Sequence, residues 1–283
     1  MQLSAGIQQF WIAIASYILL GLSFFLYLLA GNNWQLTNML SLPDLMGFTL
    51  VVAIVIFPLL WYLSNLKCQI LHSMPDDVQF QEIVPTNYSQ LDIVSLAYYT
   101  TILESLGFIH LIDHDIKPGI GFARCFAHPE YYCFAEVGQA FTETGEVIAQ
   151  NFALFSVLQQ DWIVAEINRA INSHDGIAYI WRHPQHIRRY HPNIDIEELL
   201  QSHLQFRQQI LADLGIHLST DLSWTAFKAY EKQAIIFRKQ AMRRKNLLMA
   251  MLEATLFELS PKSEWLGNYL KQAVKNPKNK FYQ

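Results

Sequence analysis

The first 66 residues contain no lysine, arginine or glutamate, and Asp44 is their only charged side chain. Two uncharged apolar runs lie within them, at residues 10–30 (FWIAIASYILLGLSFFLYLLA) and 45–63 (LMGFTLVVAIVIFPLLWYL). A helix rises about 1.5 Å per residue, so either run spans the roughly 30 Å hydrocarbon core of a bilayer. Neither run carries the polar stripe of a soluble amphipathic helix. Pro58 interrupts the second run, and membrane helices accommodate a proline as a kink. A cleaved signal peptide would have a basic start and a shorter apolar stretch, and the first run has neither. The pattern predicts a two-helix transmembrane hairpin over residues 1–66, with antiparallel helices joined by a short link at residues 31–44.

That link has no basic residue, while Lys67 follows the second run directly. Lys and Arg flanking a span hold their side of it in the cytoplasm. The expectation is a multi-pass membrane protein with both termini cytoplasmic.

Charge is unevenly spread beyond the hairpin. Residues 67–221 carry 8 basic and 19 acidic side chains, and residues 222–283 carry 12 basic and 4 acidic. A basic end suits an anionic partner, whereas the acidic middle and the lack of a recognition motif argue against nucleic acid. The cysteines Cys68, Cys125 and Cys133 are odd in number and form no CxxC pair, which argues against a disulfide framework or zinc ribbon. Cys125 and Cys133 read as small buried hydrophobes.

Residues 67–87, with Pro75 and Pro85, read as a linker, and residues 88–283 as a soluble α+β domain. Ser89 and Asp92 resemble a capping box for a helix over residues 90–106, stopped by Gly107. Five β-branched and aromatic runs follow, at residues 108–116, 121–127, 131–137, 147–156 and 162–167. Their short separators leave no room for crossover helices, so they predict an antiparallel meander of about five strands. Residues 172–193 read as a long irregular connection. Two helices close the chain, at residues 195–214 and 222–259. The fold class expected is therefore a membrane-anchored α+β protein, a transmembrane hairpin followed by a cytosolic sheet flanked by helices.

Several side-chain groups could carry chemistry. The stretch WRHPQHIRRYH brings His183, His186 and His191 together in sequence. Two imidazoles at HxxH spacing could begin a metal site, but the stretch supplies no carboxylate or thiolate, and Pro184 and Pro192 break regular structure. A solvated loop without a metal is the favoured reading. His203 and Arg207 are four residues apart within the apolar face of the helix at 195–214. They read either as an anion-binding or catalytic pair, or as a core histidine with an arginine salt-bridged to Glu136 or Glu166. The second is favoured. Arg124 and Glu136 read as a diagonal cross-strand pair. Nucleophile-elbow and nucleotide-binding motifs are absent, so no cofactor is implied.

In the helix at 222–259, Phe227, Tyr230, Ala234, Phe237, Ala241, Leu248 and Leu252 form an apolar stripe. Lys228, Lys232, Lys239 and Arg243 form a basic stripe roughly opposite, while Arg238, Arg244 and Lys245 flank the apolar side. The basic stripe suits either water or the anionic headgroups of the bilayer the hairpin occupies. The functional expectation is a non-enzymatic binding or scaffold module held at the cytoplasmic membrane surface, with a protein or lipid partner. The alternative is a membrane-tethered enzyme using His203, Arg207 and the His183–His186 pair.

Overall fold

The computed structural model describes residues 4–31, 42–74, 76–77, 79–117, 121–142, 144–172 and 175–275. The chain divides into two compact units, Met1–Met74 with Arg243–Ser260, and Pro75–Met242 with Pro261–Gln283. The protein is mixed α+β, with a large sheet and helices.

The first unit is helical. It contains α1 (Ala5–Gly31), α2 (Leu42–Ser73) and α7 (Leu247–Leu259). α1 is long and apolar enough to cross a membrane. α1 and α2 run antiparallel, with Tyr17 beside Tyr62 and Gly21 close against Val55. Residues 32–41 of the expected link lie outside the described residues. α2 continues to Ser73, so residues 67–73, expected as linker, are helical. α7 docks on α1: the Trp11 indole donates to Thr255 Oγ1 at 2.8 Å, and the Ser4 amide donates to Glu258 Oε2 at 2.7 Å.

The second unit is built on an eight-stranded sheet whose strands lie in chain order. They are β1 (Gln79–Glu82), β2 (Ile109–Lys117), β3 (Gly121–His128), β4 (Cys133–Phe141), β5 (Val147–Val157), β6 (Ile163–Ile167), β7 (His186–Tyr190) and β8 (Glu264–Trp265). β2 to β6 are the five expected strands. β1, β7 and β8 extend the sheet beyond the meander. β7 pairs parallel with β6, and every other pair is antiparallel. A parallel pair needs a crossover, which the stretch read as irregular provides through α4 (Asp175–Ile180).

One sheet face packs on α3 (Ile93–Ser105) and α5 (Ile196–Leu214), where Leu96, Leu103, Leu199 and Leu200 meet Phe122, Phe126, Val137, Phe152 and Leu154. Asp92 caps α3 by accepting from the Ser95 amide, while Ser89 bonds only to Gln90, so the expected capping box is not formed. α5 begins and ends as its sequence implies, with Asp195 as N-cap and Gly215 left-handed at its end.

α6 (Trp224–Arg244) lies on the other face. Phe227 sits there among Phe80, Phe134, Phe155 and Trp224. The single helix expected over 222–259 is in fact two. α6 ends at Arg244, and Asn246 caps α7 by accepting from the Leu248 amide. Lys67 Nζ donates to the carbonyls of Arg243 and Lys245, both at 2.9 Å, and so satisfies the end that the break exposes. A side chain from α2 thus stabilises an interruption that local propensity alone would bridge.

Candidate functional site

Strand register sets up the site. On the α6 face, one cross-strand row runs Phe134, Phe155, Ala165, Arg188, Trp265. Ala165 leaves space between the aromatic pair and Arg188. Along α6, seven residues part Glu231 from Arg238, two helical turns on the same side. Arg238 therefore lies near Arg188 of β7, and Glu231 feels the charges of Glu136 of β4, Arg238, Arg188 and His114 of β2.

A narrow cleft results, lined by Ala178, Trp181, Arg182, His183, His186, Arg188, Ala234, Arg238 and Trp265. Its frame is rigidly held. Arg169 forks onto Asp175 with both contacts at 2.6 Å, the Asn172 amide adds a third bond at 2.8 Å, and the Tyr190 hydroxyl a fourth at 3.1 Å. These tie the start of α4 to the end of β7.

Three guanidinium groups converge here without a carboxylate partner within ion-pair distance among the described residues. Arg188 lies loosely over the Trp265 ring at 5.6 Å, and Arg238 donates only from Nε to the Ala234 carbonyl at 3.3 Å. Arg182 donates to the Tyr179 carbonyl and covers its ring at 3.9 Å. Burial and the Arg188 charge lower the Arg238 pKa, opposed by Glu231. Burial, His183, Arg188 and Arg238 push His186 down to about 3, so it is a neutral ring at physiological pH. Its ring centre is 4.6 Å from that of His183, which in turn lies 4.3 Å from Phe237. The fold thus joins His183 and His186, and surrounds them with arginines. Among the described residues no group of three or more metal-ligating side chains forms.

His203 and Arg207 meet elsewhere, beneath α5. His203 Nε2 lies 2.8 Å from Ser156 Oγ, and Arg207 Nη1 donates to that oxygen at 3.0 Å and to the Tyr131 carbonyl. The expected carboxylate partners are taken by others. Glu166 pairs with Arg189, and Glu136 faces His114 at 3.7 Å. His203 is wholly buried and Arg207 only 9% exposed, so a Ser–His contact exists with no opening for a substrate. Arg124 also departs from its expected partner. The register sets it opposite Val137, which puts Glu136 on the other face, and Arg124 instead forks onto Asp113 at 2.7 Å.

Burial, with Arg207 and Arg189 nearby, lowers the His203 pKa from 6.5 to about 3. The unfolded chain therefore binds a proton that the folded chain refuses. Stability is fully present above pH 6.5 and falls as the pH drops from 6.5 towards 3. His186 acts with the same sign over the same window. Replacing His203 with Gln, which keeps a polar contact to Ser156, is expected to flatten the stability difference between pH 7.5 and pH 5. Urea titrations at the two pH values measure it, and an unchanged difference would contradict the assignment.

Of the basic stripe on α6, Lys232 pairs with Asp77 at 2.9 Å, Lys239 pairs with Asp76 at 2.5 Å, and Lys228 lies 5.7 Å from the Trp224 ring centre. Arg238, which sequence periodicity set beside the apolar stripe, faces the cleft. Its flanking position was the available signal, because a charge beside an apolar face needs a partner or a ligand. Arg188 gave no such signal, since only the pairing of β7 with β6 shows which way it points. Comparison of the chain with protein-family models, curated proteins and solved structures finds no match.

Proposed function

We propose that this chain is a membrane-anchored binding module, with α1, α2 and α7 in the bilayer and the α+β unit on its cytoplasmic side. The observation that carries the reading is the outer surface of α1. Ile12, Ile18, Leu19, Leu20 and Leu22 are 50–65% exposed, a contiguous apolar surface that water disfavours and lipid does not. Phe57, Leu60 and Trp61 of α2 extend the same character.

α7 supports the reading independently. Met249, Leu252, Leu256 and Leu259 are exposed along one side. Thirteen residues reach only about 20 Å, too short to cross, so α7 lies at partial depth against α1. Its two carboxylates are engaged, Glu253 by Lys245 and Glu258 by the Ser4 amide, as a low-dielectric setting requires. Lys228, Lys232, Lys239 and Arg243 would still add headgroup attraction, but two of them already hold carboxylates, which lessens that contribution. The missing positive charge in the 31–44 link supports cytoplasmic termini.

Alkaline carbonate extraction of membranes carrying the full chain tests the anchorage. The protein is expected in the pellet; recovery in the supernatant would refute it. A cytoplasm-only reporter fused after Gln283 is expected to be active, and silence would reverse the orientation.

A further inference from the structure

The arginine cleft has a chemistry of its own. Like charges repel, and burial raises that repulsion by removing the water that would screen it. Folding nonetheless brings Arg182, Arg188 and Arg238 to one cleft with no carboxylate in ion-pair contact among the described residues. A structural salt bridge would explain a buried arginine, but among the described residues the nearby carboxylate, Glu231, forms no ion pair; burial and Glu136 raise its pKa, and Arg238, Arg188 and His114 only partly offset that, so this single charge faces three arginines. The cations therefore exceed what the protein supplies to balance them.

We propose that this cleft binds a phosphate-type oxyanion, held by the guanidinium groups of Arg188 and Arg238 with His183 and His186 as neutral hydrogen-bond donors. A metal cation would be repelled by the same arginines. A carboxylate is planar and is satisfied by one guanidinium fork. A phosphoryl group presents oxygens in several directions, which suits donors arriving from β7, α6 and the loop before β7. The aromatic walls Trp181 and Trp265 limit hydration and strengthen each charge-assisted bond. The phosphoryl group can belong to a soluble molecule or to a phospholipid headgroup. The inference names the ligand of the binding module proposed above, although the cleft lies wholly within the second unit.

The test uses the full chain in neutral detergent, at constant ionic strength maintained with chloride. Inorganic phosphate and pyrophosphate are titrated calorimetrically, with acetate as the carboxylate comparison. A parallel arm measures the protein's affinity for free phosphate in nanodiscs of phosphatidylcholine with and without phosphatidic acid. The wild type is expected to bind phosphate saturably and more tightly than acetate. Arg188→Gln and Arg238→Gln should each weaken that binding about tenfold or more, and Lys271→Gln, at an exposed lysine outside the cleft, should leave it unchanged. Competition by phosphatidic acid would assign the site to a headgroup, and its absence to a soluble ligand.

A structural role predicts a different pattern. Without phosphate, Arg238→Gln is expected to raise or preserve the melting temperature, because it relieves repulsion, and to abolish the phosphate-induced rise. A lowered melting temperature with unaltered phosphate binding would overturn the proposal, as would a wild type that shows no saturable phosphate response. Should Arg238→Gln fail to fold, Arg188→Lys decides, since it keeps the charge and removes the fork. Failure of phosphate binding leaves the carbonate-extraction result intact, so the two readings stand or fall separately.

Discussion

Glu166→Ala is expected to destabilise the α+β unit by about 3 kcal/mol or more, among the largest losses for a single polar side chain in this protein. Glu166 is completely buried on β6. Arg189 of β7 forks onto it, donates also to Ser202 of α5 at 3.0 Å, and lies 3.7 Å over the Phe206 ring. His191 approaches its other oxygen at 3.4 Å. Removing the carboxylate strands a mostly buried guanidinium beneath α5, where water cannot reach it. Removing both charges should recover much of the loss, so Glu166→Leu with Arg189→Met is expected to melt well above Glu166→Ala alone. Unfolding of the full chain in detergent, followed by tryptophan fluorescence and compared across the three proteins, checks this. A single variant as stable as the wild type would show that the pair contributes little and that β7 is held by its backbone ladder instead.

Gly267→Ala is the second large expectation, and it links packing to the cleft. Gly267 follows β8 with φ +53°, and a Cβ there would lie 2.3 Å from the Pro184 carbonyl oxygen. That oxygen already accepts from the Asn268 amide at 2.7 Å. The left-handed backbone alone costs an alanine about 1 kcal/mol, and the collision with backbone adds to it. Because Pro184 lies between His183 and His186, the loop that must yield is the one carrying both rings. The variant should therefore lose stability and also weaken the calorimetric phosphate response. Gly138→Ala gives the contrast, since its nearest neighbour outside the adjoining residues, the Phe122 carbonyl, is 3.8 Å away. It is expected to be near neutral in both measurements. Equal effects from the two glycines would remove the argument from close approach.

Local pattern was enough to read several elements. A long charge-free run favours a helix, and α1 follows its run closely. The β-branched and aromatic runs from Phe108 to Ile167 became β2 to β6 because strand propensity and turn residues act over a few neighbours. Asp195 and Gly215 marked the ends of α5 for the same local reason. The apolar character of Cys125 and Cys133 anticipated their burial.

What the sequence could not show depends on partners distant in the chain. The break at Asn246 is sustained by Lys67, nearly 180 residues away, so helical periodicity ran straight through it. Arg124 and Glu136 were set apart by a single step of register, which periodicity does not specify. β7 was hidden between Pro184 and Pro192, and its parallel pairing with β6 depends on the α4 crossover. His203 and Arg207 share a helical face in the sequence, but only packing on β5 supplied Ser156 and sealed them from solvent. The cleft is the fullest case. In sequence, His183 and His186 read as part of a solvated loop, with a metal site the lesser alternative, because their only known neighbours were those along the chain. Once β7 pairs with β6 and α6 crosses the sheet, Arg188 and Arg238 stand beside them, and electrostatics favours an anion. Hydropathy and turn residues along the chain determined the apolar helix α1 and the strands β2 to β6; the long-range meeting of strands and helices decided which charges face each other.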